Sequence, residues 1–218
     1  GDKKPSNWDE IPPIRKSDLQ GNLNELLSAG YNKNNTYVAN TSGSSGHPFY
    51  FSKNKECHAR TWGFWKIRYA ELGLSLASKE ARFYGTVFSA KTRILETLKD
   101  FILRRVKFTV FDLSDKILES FIKKFSKHKF DYVYGYANSL LIFARYLINR
   151  GIILKDVCPS IKLVISTSEV LSDEDRLLIK KGFGVNVFDE YGASEVGYLS
   201  KQCREGKNHV IEQNVFLE

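Results

Sequence analysis

Residues 161–192 read IKLVISTSEVLSDEDRLLIKKGFGVNVFDEYG. IKLVIST is a short run dominated by branched apolar residues, as a buried strand requires. SDEDRLLIKKGFG reads as a helix. VNVFDEYG is a second strand with its turn. Strand, helix and strand within about thirty residues form the crossover unit of a parallel sheet.

The same alternation extends back toward the amino end. DYVYGY is a strand followed by the helix NSLLIFARYLINRG. Before it, KFTVFD is a strand and SDKILESFIKKFSKH a helix capped by Ser114. ARFYG precedes the helix KTRILETLKDFILRR. TYVAN and PFYFS are strands on either side of a small-residue loop, and KECHARTWGFWKIRYAELG is a helix ending at Gly73. The fold class is therefore α/β, a largely parallel sheet flanked by helices. Residues 1–30 form an extended, partly helical lead-in, with Ser17 or Asp18 as a cap. Residues 31–218 form the core. In such sheets ligands sit at the carboxyl ends of strands.

A chain of 218 residues buries about 70% of its unfolded surface and needs no staples. Cys57, Cys158 and Cys203 are odd in number and far apart, which argues against a disulfide framework and for a reducing, cytoplasmic setting. No apolar run approaches the ~18 residues of a membrane span. Methionine is absent throughout. The formal charge is +8, and residues 91–150 hold 13 Lys and Arg against 6 Asp and Glu. These cations alternate with hydrophobes at helical spacing, so they read as solvated helix faces. No Arg/aromatic stacking platform accompanies them, and a nucleic-acid partner is not expected.

Two stretches carry chemistry. TSGSSGHP, Thr41 to Pro48, packs hydroxyls and glycines into one loop after a strand. Such a loop turns backbone N–H groups and neutral donors toward a phosphate, although a flexible turn has the same composition. It lacks the lysine of a Walker A loop. YGASE, Tyr191 to Glu195, also follows a strand. A tyrosine face can stack on a base, a serine can bond a phosphate oxygen, and a glutamate can hold Mg²⁺. Each also has a plain reading as core aromatic or loop charge.

Together these stretches resemble the adenylate-forming superfamily of acyl-CoA synthetases, luciferases and adenylation domains. Thr41 to Pro48 matches its phosphate loop and Tyr191 to Glu195 its Tyr-Gly-x-Thr/Ser-Glu motif. ISTSEVLSDEDR stands where that family has an adenine-wall segment. FDLSD, YGYANSLLIFARYL and CREGKNHVIEQNVFLE are similar to the phenylacetate–CoA ligase branch, which includes coenzyme F390 synthetases and capsular polysaccharide biosynthesis proteins.

The resemblance implies that Thr41, Ser42, Gly43, Ser44, Ser45 and Gly46 hold the pyrophosphate end of ATP. It places Asp189 near the adenine amino group, and Tyr191 and Gly192 against the ring. Ser168 and Glu169 form the other wall, Ser194 touches the α-phosphate, and Glu195 holds Mg²⁺. The implied reaction makes an acyl-adenylate from a small carboxylate and passes it to CoA or another acceptor. The alternative is a nucleotide-binding scaffold of capsular polysaccharide biosynthesis, without chemistry. A ribose aspartate, a hinge and a lid domain with a catalytic lysine find no match before Glu218, so a fragment, inactive alone, is expected. Thr167 stands before Ser168 and Glu169, where the family often has a smaller residue, and His47 stands where lysine is frequent. Tyr84, Tyr134 and Tyr136 end strands and are candidates for an acyl pocket or for core packing. Cys203 and His209 have the chemistry of half a zinc site.

Overall fold

The computed structural model describes all residues except 1–6, 8–9, 20–22, 42–48, 86–89 and 213–218. The chain divides into two compact units, Gly1–Trp62 and Gly63–Glu218.

In the first unit, helix α1 is short, Lys16–Leu19, and strands β1 (Thr36–Asn40) and β2 (Tyr50–Asn54) pair antiparallel. Neither expected cap stands at the cap position of α1. Arg15 precedes the helix, and its N–H donates to Asp18 Oδ2 at 2.8 Å. The Asp18 carboxylate thus reaches back from the first turn. Helix α2 (Lys55–Glu71) starts in this unit and ends in the second. Asn54 caps it, its Oδ1 accepting from the Cys57 N–H at 2.7 Å.

The second unit holds β3 (Glu80–Phe83), α3 (Ala90–Ile102), β4 (Arg105–Phe108), α4 (Asp115–Lys127), β5 (Tyr132–Tyr136) and α5 (Ala137–Asn149). After these come α6 (Leu154–Val157), β6 (Leu163–Thr167), α7 (Asp173–Phe183), β7 (Asn186–Ala193), β8 (Gly197–Gln202) and β9 (Asn208–Val210). The sheet order is β4-β3-β5-β6-β7-β8-β9. The first five strands are parallel, and β8 and β9 add antiparallel. The expected α/β class, a largely parallel sheet flanked by helices, is the one observed.

Alternation along the strands divides two cores. Phe83, Phe108, Val133, Val164 and Val187 pack with Phe121, Phe125, Phe143 and Phe183 from α4, α5 and α7. On the other face Tyr132, Leu163, Ile165 and Phe188 pack with Trp65 and Tyr69 from α2 and with Leu72 just after it. Buried Glu80 takes a 2.6 Å hydrogen bond from the Tyr132 hydroxyl and pairs with Arg82 and Arg105.

Two local expectations are corrected. The strand expected over KFTVFD runs instead from Arg105 to Phe108. Arg104 turns out of the preceding helix at φ 53°, and its four-residue partner β3 ends at Phe83, leaving Thr109 onward unpaired. Ser114 does stand at the cap position of α4, but its side chain makes no cap bond; its own N–H donates to Asp112 Oδ1 at 2.9 Å. Among the described residues no helix is long and apolar enough to cross a membrane.

Candidate functional site

The carboxyl ends of β6 and β7 open into a cleft of about 370 Å³ lined by Ser168, Glu169, Asp189, Glu190, Tyr191 and Gly192, among others. Five residues singled out in the sequence therefore meet here. Ser168 leaves β6 in the left-handed region, φ 68°, a conformation that costs a non-glycine residue about 1 kcal/mol or more. Glu169 follows and points its carboxylate at the start of α5, where Oε2 accepts from the Asn138 N–H at 2.7 Å. It satisfies one of the amides that a helix start leaves open.

Asp189 is held from behind. Its N–H donates to Gln202 Oε1 at 3.0 Å, and Arg176 donates to the same oxygen at 2.6 Å and to the Val187 carbonyl at 2.9 Å. Burial raises the Asp189 carboxyl above its ordinary range, opposed by the Arg176 charge. Its Oδ1 is buried and accepts no hydrogen bond, so a residue lining the cleft keeps one acceptor unused. Tyr191 is 58% exposed and offers a free ring face.

A register shift between Tyr191 and Gly192 turns the chain out of β7. A Cβ on Gly192 would lie 2.6 Å from the Gly197 carbonyl oxygen, so this position must be glycine for β8 to approach. Ser194 and Glu195 occupy the tight turn that follows, Ser194 exposed and Glu195 half-buried. Among the described residues no group of three or more His, Cys, Asp and Glu could hold a metal. A magnesium ion on Glu195 would therefore take its remaining ligands from phosphate oxygens and water, which is its ordinary habit.

Of the hydroxyl loop, only Thr41 is described. Its N–H donates to the Phe49 carbonyl at 2.9 Å, and its Oγ1 accepts from the Phe49 N–H at 3.1 Å, closing the loop's base. Ser42, Gly43, Ser44, Ser45 and Gly46 lie outside the described residues. Tyr84, Tyr134 and Tyr136 come together: the Tyr84 ring lies 4.2 Å from Tyr136 and 6.4 Å from Tyr134, and the Arg82 guanidinium lies 4.7 Å over Tyr134. Cys203 and His209 also meet, and a hydrogen bond from His209 lowers the thiol's pKa.

Sequence reading missed Arg68 and Glu190. Both are 3% exposed, and none of the guanidinium nitrogens or carboxylate oxygens has a hydrogen-bond partner. Burial pushes Glu190 up to about 8, with Arg68 opposing. The sequence carries only their spacing as a signal. Arg68 lies in the buried stripe Trp65, Arg68, Tyr69 of α2, and Glu190 is two residues from Phe188 on one strand face.

No protein-family model matches the chain. Protein CapK of Staphylococcus aureus is 24% identical over 219 residues, covering 96% of this chain and 45% of CapK. A 2-hydroxyisobutyryl-CoA ligase solved with 2-HIB-AMP and CoA superposes with a TM-score of 0.60 at 15% identity, over 90% of this chain and 46% of that one. The anthranilate CoA ligase AuaEII, solved with anthranoyl-AMP, gives 0.54 at 16% identity, over 78% of this chain and 31% of that one. The chain thus spans less than half the length of these relatives. The fold is that of the adenylate-forming enzymes, as the two sequence motifs implied.

Proposed function

We propose that a chain with this fold is the nucleotide-binding part of an ATP-dependent carboxylate-activating enzyme. The observation that carries this reading is the cleft at the ends of β6 and β7, where Ser168, Glu169, Asp189, Tyr191 and Gly192 converge. The unused Asp189 Oδ1 suits the amino group of adenine, and the exposed Tyr191 face suits its ring. The Glu169 carboxylate is already engaged by Asn138, so what it gives the opposite wall is its methylene stem. Ser194 would bond the α-phosphate. Glu195 would hold magnesium, which when bound offsets phosphate charge. Thr41, Ser42, Gly43, Ser44, Ser45 and Gly46 would take the β and γ phosphates.

In the reaction a carboxylate oxygen attacks the α-phosphorus, the bond to the bridging oxygen breaks, and pyrophosphate leaves. An acceptor, the thiol of CoA or another nucleophile, then attacks the acyl carbon and AMP departs. The chain's residues contribute by positioning the nucleotide and excluding water. The phenylacetate–CoA ligase-like branch and a cytoplasmic setting belong to this same reading. Tyr84, Tyr134 and Tyr136 are its candidates for the acyl side, Tyr134 feeling the charge of Glu190.

Thermal unfolding with Mg·ATP, AMP and GTP tests the binding step. At 100 times the dissociation constant a ligand stabilises by about 2.7 kcal/mol, or about 5–10 °C at this size. A saturable rise with ATP and AMP but not GTP is expected; no rise with either adenine nucleotide sinks the reading. The likeness to CapK favours a second reading, a nucleotide-holding scaffold without chemistry. It predicts the same shifts but no carboxylate-dependent ATP–pyrophosphate exchange in the longer protein.

A further inference from the structure

Behind the cleft, on the α2 face of the sheet, lies a second cavity of about 300 Å³. Phe64, Ile67 and Arg68 line it from α2, and Glu190, Tyr198 and Lys201 from β7 and β8. Lys201 is already committed, its Nζ lying 2.6 and 2.7 Å from the two Glu71 oxygens. Arg68 and Glu190 are not committed. Each is 3% exposed, all three guanidinium nitrogens and both carboxylate oxygens are buried without a hydrogen bond, and the two groups do not bond each other. The guanidinium is nevertheless placed, lying 5.7 Å from the centre of the Phe188 ring.

A guanidinium and a carboxyl buried beside one cavity and bonded to nothing are costly. A structural ion pair would have closed on itself. Here both side chains line the cavity and the hydrogen-bonding capacity of neither is used, which is the arrangement of a binding site kept ready for its ligand.

The chemistry of the walls defines the ligand. A guanidinium fork matches a carboxylate in two parallel hydrogen bonds. A buried carboxyl raised toward neutrality does not cancel that positive charge, and it can both donate to and accept from a hydroxyl. Phe64, Ile67 and Tyr198 admit a short carbon body. We propose that this cavity binds a small hydroxylated organic anion, with its carboxylate on Arg68 and its hydroxyl on Glu190.

Glu190 also borders the cleft. A further step rests on the adenylating reading: the bound anion is then the far end of the acid to be activated, a hydroxylated diacid whose second carboxylate faces the nucleotide. Arg68 and Glu190 are in that case the residues that select the substrate.

The test is calorimetric and thermal titration of the 218-residue chain with L-malate, succinate and butyrate. Malate should bind, and succinate and butyrate about tenfold or more weaker because Glu190 loses its hydroxyl partner. Arg68→Met should weaken malate at least about 100-fold. The double variant Arg68→Met/Glu190→Gln removes the unbonded guanidinium and the titrating carboxyl, so without ligand it should unfold at or above the wild-type temperature. Absence of malate binding up to about 50 mM, or binding that survives Arg68→Met, overturns the proposal. A marked fall in the melting temperature of the double variant also overturns it, because the two groups would then be structural. A parallel AMP titration separates the failures. An AMP shift without a malate shift rejects this cavity alone; malate binding without any adenine-nucleotide shift rejects the adenylating reading alone.

Discussion

Glu190 carries the largest electrostatic consequence of any single side chain in the cleft. Its carboxyl is pushed from an ordinary 4.5 up to about 8, first by burial, with Glu80 and Asp189 adding to the rise and Arg68 and Arg82 opposing it. The folded protein therefore holds a proton that the unfolded chain releases near pH 4.5. That contribution to stability is fully present below about pH 4.5 and is lost as pH rises through about 8. The melting temperature of the wild type should decline between pH 5 and 8 on this account. Glu190→Gln, neutral at every pH, should flatten the decline, leaving the smaller part owed to Asp189, whose carboxyl is raised in the same direction. Melting curves at three pH values for both proteins decide it. An unchanged slope in the variant would mean that Glu190 is ionised in the folded protein at neutral pH.

At the scale of elements, two serines stand at helix starts and do different things. Ser172 Oγ accepts from the Asp175 N–H at 3.1 Å at the head of α7. Ser114, at the head of α4, makes no such bond. Ser172→Ala should cost about 1 kcal/mol and Ser114→Ala a few tenths, measured by denaturant unfolding; equal costs would contradict the geometry. Sequence singled out Ser114, the serine that makes no cap bond, because a cap is recognised by residue type and position, whereas the bond depends on a side-chain rotamer. The same division runs through the fold. The order from β3 to β7 was legible, since branched strands and capped helices announce themselves locally. Strands β8 and β9 were not, because a run such as GYLSKQ has no strict alternation and becomes strand only by pairing with β7. The site divides likewise. Tyr191 to Glu195 could be read as a motif, and Asp189 beside it. Arg68 was hidden because a cation inside an apolar stripe reads as a helix-surface residue until the facing strand is known.

For the whole molecule, the proposed function assigns different parts of ATP to different stretches of the chain. The cleft residues are assigned the adenine and α-phosphate, which AMP retains. The loop is assigned the β and γ phosphates, which AMP lacks. A change confined to the loop should therefore separate the two nucleotides. Ser44→Ala with Ser45→Ala removes two hydroxyl donors, each contributing about 1 kcal/mol or more to a charged acceptor. Affinity for Mg·ATP should fall about 10–100-fold, while affinity for AMP stays within a factor of about two. Isothermal titration of both nucleotides against both proteins measures it. Equal weakening of ATP and AMP would place the loop at the adenosine end or make its effect a general one on folding, and the melting temperature of the ligand-free variant tells those apart. Unchanged binding of both would leave the hydroxyl loop without a part in binding, with nucleotide recognition confined to the ends of β6 and β7.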